Sequence, residues 1–338
     1  MRAISFLLAA ALAYAQADAL TSGIEQFHRG DYATALQTLQ NAPGSEQTRI
    51  FLALTRAALG KCADAVPELT APFEKNSTSP DLRRLAGLAM SQCQVAQNQI
   101  AAAAQTTARL QELYPSDPDV LYQSAKVHMK AWNDAVFQMY QKAPSSFRVN
   151  QLSAEILEIQ GKYVEAVAEY RKAIAKSPSS LNLHFRLGRA LLLQSHQATA
   201  IADARKEFDA ELALNPRDAA AEFQVGQLLI AEQKNAEAAK RLERALSLNA
   251  DFAEAAVTLA RLYLQEKRTA EAIRLLEHAV DVQPKNESAR YSLMLAYRNA
   301  GRTADALTQK TELDKLQKPP EGEFSDFLKR LGEKPKQP

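Results

Sequence analysis

The chain has 338 residues, of which 46% are hydrophobic and 24% are charged, and it contains only 11 glycines. This composition is typical of a well-packed, helix-rich soluble protein. The formal net charge of +2 gives no strong global field, so nucleic acid is not an expected partner.

The first fifteen residues have the pattern of a secretory signal peptide. A positive start at Met1-Arg2 precedes an apolar run over residues 3–13, and Ala13-Tyr14-Ala15 ends the run with small residues. We expect cleavage after Ala15 and an exported protein, periplasmic or secreted. The alternative is an uncleaved anchor, but the run is shorter than the ~20 apolar residues of a spanning helix. No other stretch of the sequence is apolar enough to span a bilayer, so no integral membrane segment is expected in the mature chain.

Residues 218–286 repeat with a fixed period. Three pairs of like residues coincide at an offset of 34 (272 − 238): Ala238 with Ala272, Leu242 with Leu276, and Ala245 with Ala279. Within one period, apolar residues recur at helical spacing on both sides of a short polar break at residues 232–235. The pattern predicts an array of antiparallel, amphipathic helix pairs.

The repeat beginning at Ala253 has small and apolar residues at Leu259-Ala260, Tyr263, Ala272, Leu276 and Ala279, followed by Pro284. In these residues it resembles the tetratricopeptide repeat family. The resemblance implies an all-α, right-handed superhelical α-solenoid of about nine helix-turn-helix repeats over residues 16–316.

Two repeats depart from the pattern. The fourth, Asp117 to Pro144, is short and irregular, with Trp132 near its expected turn. The sixth is four residues longer than the period (216 − 178 = 38), and we expect an extended turn around residues 194–198.

After the repeats, residues 317–338 form a Pro-containing tail. Its apolar residues Phe324, Phe327, Leu328 and Leu331 predict a short amphipathic helix. This helix either covers the last repeat as a lid or binds a partner.

The chain has two cysteines, Cys62 and Cys93. An even count in an exported protein favours a disulfide. In the repeat scheme the two cysteines fall on neighbouring antiparallel helices, which favours the bond, and two buried free thiols are the alternative.

No catalytic or metal-binding motif occurs in the sequence. The five histidines do not form a zinc motif, and the scattered glycines form no phosphate-binding loop. We therefore expect no enzyme activity, no cofactor and no metal. An enzyme whose site arises only on folding is the remaining, less favoured alternative.

In this family the first helices of successive repeats line a concave face. Aromatic, Arg and amide side chains at the corresponding positions suit peptide recognition, although an ordinary solvated helix face would look similar. The candidate partner-binding residues are Arg148, Gln151, Phe185, Arg186, Arg189, Phe223, Gln227, Arg261, Tyr291 and Arg298. The predicted function is a non-catalytic scaffold of the cell envelope that binds an extended peptide or a partner protein. A self-associating assembly factor of an envelope complex is the alternative.

Overall fold

The computed structural model describes residues 18–317, which form seventeen α-helices and no strand. The predicted signal peptide and the predicted amphipathic helix of the tail lie outside these residues. The chain divides into two compact units, Met1–Pro144 and Ser145–Pro338, which are called here the N-terminal and C-terminal units. Both units are built of stacked helix pairs, with one single helix in the N-terminal unit, which confirms the all-α repeat fold.

The N-terminal unit contains the first seven helices. Its core is formed by fully buried side chains such as Leu39, Ile50, Leu69 and Leu110. The helices are α1 (residues 18–28), α2 (Tyr32–Gln40), α3 (Glu46–Ala58), α4 (Cys62–Glu74), α5 (Pro80–Ala96), α6 (Ile100–Leu113) and α7 (Pro118–Lys142).

The C-terminal unit contains five helix pairs. Large side chains such as Tyr170, Phe208, Leu242 and Leu276 are fully buried between them. The helices are α8 (Phe147–Ile159), α9 (Tyr163–Lys176), α10 (Leu183–Gln194), α11 (Ala198–Leu214), α12 (Ala219–Ala231), α13 (Asn235–Leu248), α14 (Ala253–Gln265), α15 (Thr269–Val282), α16 (Glu287–Asn299) and α17 (Thr303–Gln317).

Most helix pairs share one turn geometry. Three residues separate the two helices, and the middle one has φ between +60° and +83°. In the α8–α9 turn, the Gly161 and Lys162 amides donate to the carbonyls of Glu158 and Leu157, both at 2.9 Å. This hydrogen-bond pair closes the helix end in a Schellman motif. The residues with positive φ in these turns are Gly30, Gly60, Asn98, Gly161, Gln233, Lys267 and Gly301.

The fourth repeat is not a helix pair. Residues 118–142 form the single 25-residue helix α7, which continues through Trp132. Between Pro118 and Pro144 the sequence contains neither Gly nor Pro, so nothing ends the helix where a turn was expected. The described chain therefore has eight helix pairs and one single helix rather than nine pairs.

The extended turn expected in the sixth repeat is also absent. Helix α10 ends at Gln194 and α11 begins at Ala198, which leaves three turn residues, as many as between α12 and α13. Instead α11 has 17 residues where α13 has 14. Most of the extra length therefore lengthens a helix, because residues 198–206 contain neither Gly nor Pro to end it.

A disulfide joins the second and third pairs of the N-terminal unit. Cys62, the first residue of α4, is bonded to Cys93 of α5, with their Cα atoms 5.1 Å apart. The two helices pack side by side, in the arrangement that the repeat scheme predicts for this pair of cysteines. The bond closes the chain over a sequence separation of 31 residues.

Helix α17, the last helix among residues 18–317, has a polar surface. In α15, Ile273, Leu276 and Val280 form a buried stripe at helical spacing. The residues 34 positions later in α17 are Leu307, Lys310 and Asp314, and all three are exposed. Two charged residues thus replace apolar residues on the face where another repeat would stack.

Candidate functional site

The first helices of three successive pairs line a cleft in the C-terminal unit. This cleft between α12, α14 and α16 has a volume of about 560 Å³. Its floor includes Phe223, which is nearly buried and lies 4.9 Å from the ring of Phe252. The other lining residues are Gln224, Gln227, Glu254, Val257, Thr258, Arg261, Asn286 and Ser288.

The rim of this cleft is polar, and one of its polar side chains has no hydrogen-bond partner within residues 18–317. Arg261 donates from Nη2 to the Ser288 hydroxyl at 2.8 Å, so its guanidinium is held across α14 and α16. The Gln227 amide is exposed, and no hydrogen bond to it is found among residues 18–317. An amide can bond to the backbone of an extended peptide, and an oriented guanidinium can bind a carboxylate. The cleft therefore combines an aromatic floor with groups suited to peptide recognition.

A chain of hydrogen bonds orders the surface of α8. Arg148 donates to Gln151 at 2.7 Å, and Gln151 donates to Glu155 at 2.9 Å. Glu155 in turn lies 3.5 Å from Nη1 of Arg186 on α10. These contacts hold three of the predicted site residues in one network between the two helices.

The guanidinium of Arg186 contacts other members of this network. Its guanidinium lies within 4.0 Å of Glu158, which accepts a 2.8 Å hydrogen bond from the Tyr170 hydroxyl. Burial lowers the pKa of Arg186, but Tyr170 and Glu155 outweigh that effect and raise it above its usual value. Burial, reinforced by Glu158, also raises the pKa of Tyr170. Reversing the charge of Arg186 would therefore disturb the fold as well as the surface.

The remaining predicted residues differ in accessibility. Phe185 packs on Phe208, 5.7 Å between ring centres, and is partly buried. Arg189, Tyr291 and Arg298 are exposed. The structure thus brings Phe223, Gln227 and Arg261 into one cleft and Arg148, Gln151 and Arg186 into one network. It leaves the other four outside both groups.

The N-terminal unit has a second cleft that the sequence analysis missed. This cleft, about 360 Å³ in volume, lies along α1, α3, α5 and α7 and is mainly apolar. Its aromatic lining residues are Phe27, Tyr32 and Tyr122. The aromatic residues in and beside these first helices could have indicated this cleft. The sequence analysis placed the site in the C-terminal unit because its repeats match the pattern better.

The second half of α7 is an exposed apolar surface. The buried residues of α7 all lie between Val120 and Val127. Beyond them Met129, Trp132 and Phe137 are at least half exposed. No prediction assigned these residues a role, because a turn was expected near Trp132.

Within residues 18–317, no group of three or more His, Cys, Asp or Glu side chains is arranged to hold a metal ion. No helix in this range has the length and apolar character needed to cross a membrane.

Family models match two segments of the C-terminal unit. Residues 155–195 match a model described as TPR repeat, and residues 229–296 match one described as tetratricopeptide repeat. Residues 155–195 and 229–296 are thus tetratricopeptide repeats. Repeats of this kind stack into extended surfaces used for binding, so a protein-interaction scaffold is the function class that the family carries.

Solved structures with the same kind of helical repeat are similar over part of the chain. PilF of Pseudomonas aeruginosa is 16% identical, with a TM-score of 0.47, covering 75% of this chain and 99% of that one. MamA from Desulfovibrio magneticus is 18% identical, with a TM-score of 0.45 and coverages of 52% and 97%. YrrB, described as a tetratricopeptide repeat protein with an unusual peptide-binding site, is 18% identical, with a TM-score of 0.43 and coverages of 58% and 98%. No curated protein matches the chain.

Proposed function

We propose that this tetratricopeptide repeat protein is a non-catalytic scaffold of the cell envelope. It binds an extended peptide or a partner protein on the face formed by the first helices of its C-terminal unit. The observation that carries the proposal is the cleft between α12, α14 and α16. Three residues chosen from the sequence, Phe223, Gln227 and Arg261, line this single cleft.

A photo-crosslinking residue placed at Gln227 tests this site. We expect crosslinks between the protein and a partner when the chain is incubated with native envelopes, because the Gln227 side chain faces the open cleft. The same residue at Lys240, exposed on α13 and outside the cleft lining, is the matched control. Arg261→Glu is expected to reduce the Gln227 crosslinks about tenfold, since it removes a charge-assisted contact. Equal yields at Gln227 and Lys240 would contradict the proposal.

Export is the second part of the proposal and has its own test. The support is the sequence of residues 1–15, with its positive start, apolar run and Ala-Tyr-Ala ending. Fractionation followed by amino-terminal sequencing is expected to recover a chain that begins at Gln16 outside the cytoplasm. A chain that retains Met1 inside the cytoplasm would rule out both export and an envelope role.

Self-association is a second candidate function, favoured by the second half of α7. Met129, Trp132 and Phe137 are 61%, 50% and 64% exposed, a concentration of apolar surface that marks interaction sites. We expect sedimentation velocity to show oligomers that the double variant Trp132→Ser, Phe137→Ser converts to monomers. Leu181→Ser, which removes an exposed apolar residue of the C-terminal unit, is the control. A monomeric native chain would leave the peptide-binding scaffold as the only candidate.

A further inference from the structure

Two aliphatic side chains are exposed at corresponding positions of neighbouring helix pairs. Ile159 at the end of α8 is 87% exposed, and Leu193 at the end of α10 is 47% exposed. They are 34 residues apart (193 − 159), so they occupy the same place in the repeat. The same place in the next three first helices holds Ala231, Gln265 and Asn299. The exposed aliphatic pair is therefore confined to the beginning of the C-terminal unit.

This pair continues the face on which the candidate partner-binding residues lie. Ile159 is four residues beyond Glu155, and Leu193 is four residues beyond Arg189. Residues four apart on a helix lie one above the other on the same face, with a rise of about 6 Å. Arg189 and Leu193 thus present a cation and an aliphatic group about one helical turn apart.

The charges around the pair leave one cation in excess. Arg186 lies between Glu155 and Glu158, and Arg148 donates a hydrogen bond to the neutral Gln151. Arg189 is exposed, and no hydrogen bond or ion pair to it is found among the residues that the structure describes. Three arginines against two glutamates give this part of the face a net charge of +1 (3 − 2). Both glutamates lie beside Arg186, so Arg189 is left as the cation that complements a negative ligand.

We propose that the α8–α10 end of this face selects a peptide segment in which an acidic residue and an aliphatic residue stand two positions apart. In an extended chain, residues i and i+2 point to the same side, about 7 Å apart. This spacing matches the rise from Arg189 to Leu193. The carboxylate pairs with Arg189, and the aliphatic side chain lies on Leu193 and Ile159. The proposal rests on the peptide-binding function proposed above and names the sequence character of the peptide.

The test is selection from a library of randomised heptapeptides displayed on phage, with the purified chain as bait. We expect enrichment of an acidic residue separated by one position from Leu, Ile or Val. Arg189→Gln is expected to abolish the acidic preference alone, and the double variant Ile159→Asn, Leu193→Asn the aliphatic preference alone. Arg171→Gln and Leu214→Asn change an exposed arginine and an exposed aliphatic residue outside this face, and both are expected to leave the selection unchanged.

A synthetic peptide with the enriched sequence gives the quantitative check by fluorescence polarisation. Replacing its acidic residue by the matching amide is expected to weaken binding about tenfold to the native chain and not to Arg189→Gln. If the selected peptides lack the acidic–aliphatic pair, and their binding depends on Arg261 but not on Arg189 or Leu193, this inference is wrong and the proposed function stands. If the library yields no binder, both are overturned.

Discussion

At the scale of single residues, the turns contain four glycines with positive φ and three residues with side chains in the same conformation. The left-handed region costs about 1 kcal/mol or more for a residue with a Cβ atom, and glycine adopts it freely. At Gly161 an added Cβ would meet no heavy atom within 4 Å, so the backbone alone determines the cost of substitution there. The corresponding turn between α14 and α15 has Lys267 at φ 62°.

Lys267→Gly is therefore expected to stabilise the C-terminal unit by about 0.5 to 1 kcal/mol, because it relieves the strain of the left-handed conformation. Gly161→Ala, at the same place in the α8–α9 turn, is expected to destabilise the unit by about 1 kcal/mol. Urea unfolding followed by circular dichroism measures both changes. A destabilising Lys267→Gly would show that the Lys267 side chain contributes more than its backbone costs.

Tyr297 couples stability to alkaline pH. Its hydroxyl donates to Glu277 at 2.7 Å, and burial together with that carboxylate raises the pKa of Tyr297 to about 12. An unfolded tyrosine ionises near pH 10, so above that pH the unfolded chain loses its proton first. We expect the free energy of unfolding to be unaffected below pH 10 and to fall as the pH rises to about 12. Tyr297→Phe is expected to flatten this fall in urea unfolding series, and an unchanged slope would contradict the assignment.

At the scale of helices, the first helix of a pair packs on the second where a glycine gives room. On α10, a Cβ at Gly188 would lie 2.7 Å from Cε1 of Phe208 on α11. Phe208 is fully buried, so its ring has no space to move away. On α12, a Cβ at Gly226 would lie 3.0 Å from Cγ of Leu242. Gly188 and Gly226 occupy the same position in their helix pairs, but the side chain on the second helix lies closer to Gly188.

Gly188→Ala is therefore expected to destabilise the C-terminal unit by about 1 to 2 kcal/mol, because the cost of overpacking exceeds the higher helix propensity of alanine. Gly226→Ala is expected to cost less. Thermal unfolding of both variants measures the difference. The double variant Gly188→Ala, Phe208→Leu should recover part of the loss, whereas no recovery would mean that the steric explanation is wrong.

The helix pairs were predictable where small and apolar residues recur every 34 positions, as at Ala238 and Ala272. The prediction failed where the repeat signal was weak. Near Trp132 the sequence signal that α7 continues is the absence of Gly and Pro. Arg186 was predicted to bind a partner because it is an arginine on the expected concave face. Its contacts with Glu155 and Glu158 depend on the packing of α8 against α10, which the sequence does not show. Ile159 was missed because exposure cannot be read from residue type.

At the scale of the whole molecule, the two units differ in how they are stabilised. The disulfide between Cys62 and Cys93 lies within the N-terminal unit, and it involves both cysteines of the chain. Trp132, the only tryptophan of the sequence, also belongs to that unit. Its fluorescence therefore reports the unfolding of the N-terminal unit separately.

The double variant Cys62→Ser, Cys93→Ser is expected to destabilise the N-terminal unit by about 3 to 4 kcal/mol, since closing a loop of this length restricts the unfolded chain by that amount. In urea, Trp132 fluorescence should shift to a lower midpoint. The transition of the C-terminal unit, followed as the part of the circular dichroism change that does not coincide with the Trp132 transition, should not move. A parallel shift of both transitions would mean that the units unfold together.

The polar stripe on α17 also limits how the molecule can be engineered. A further helix pair joined after Gln317 would place its apolar side against an ammonium group at Lys310 and a carboxylate at Asp314, where α15 offers Leu276 and Val280. Lengthening the array at this end therefore requires those two residues to become apolar first, and an extension made without that change should remain undocked.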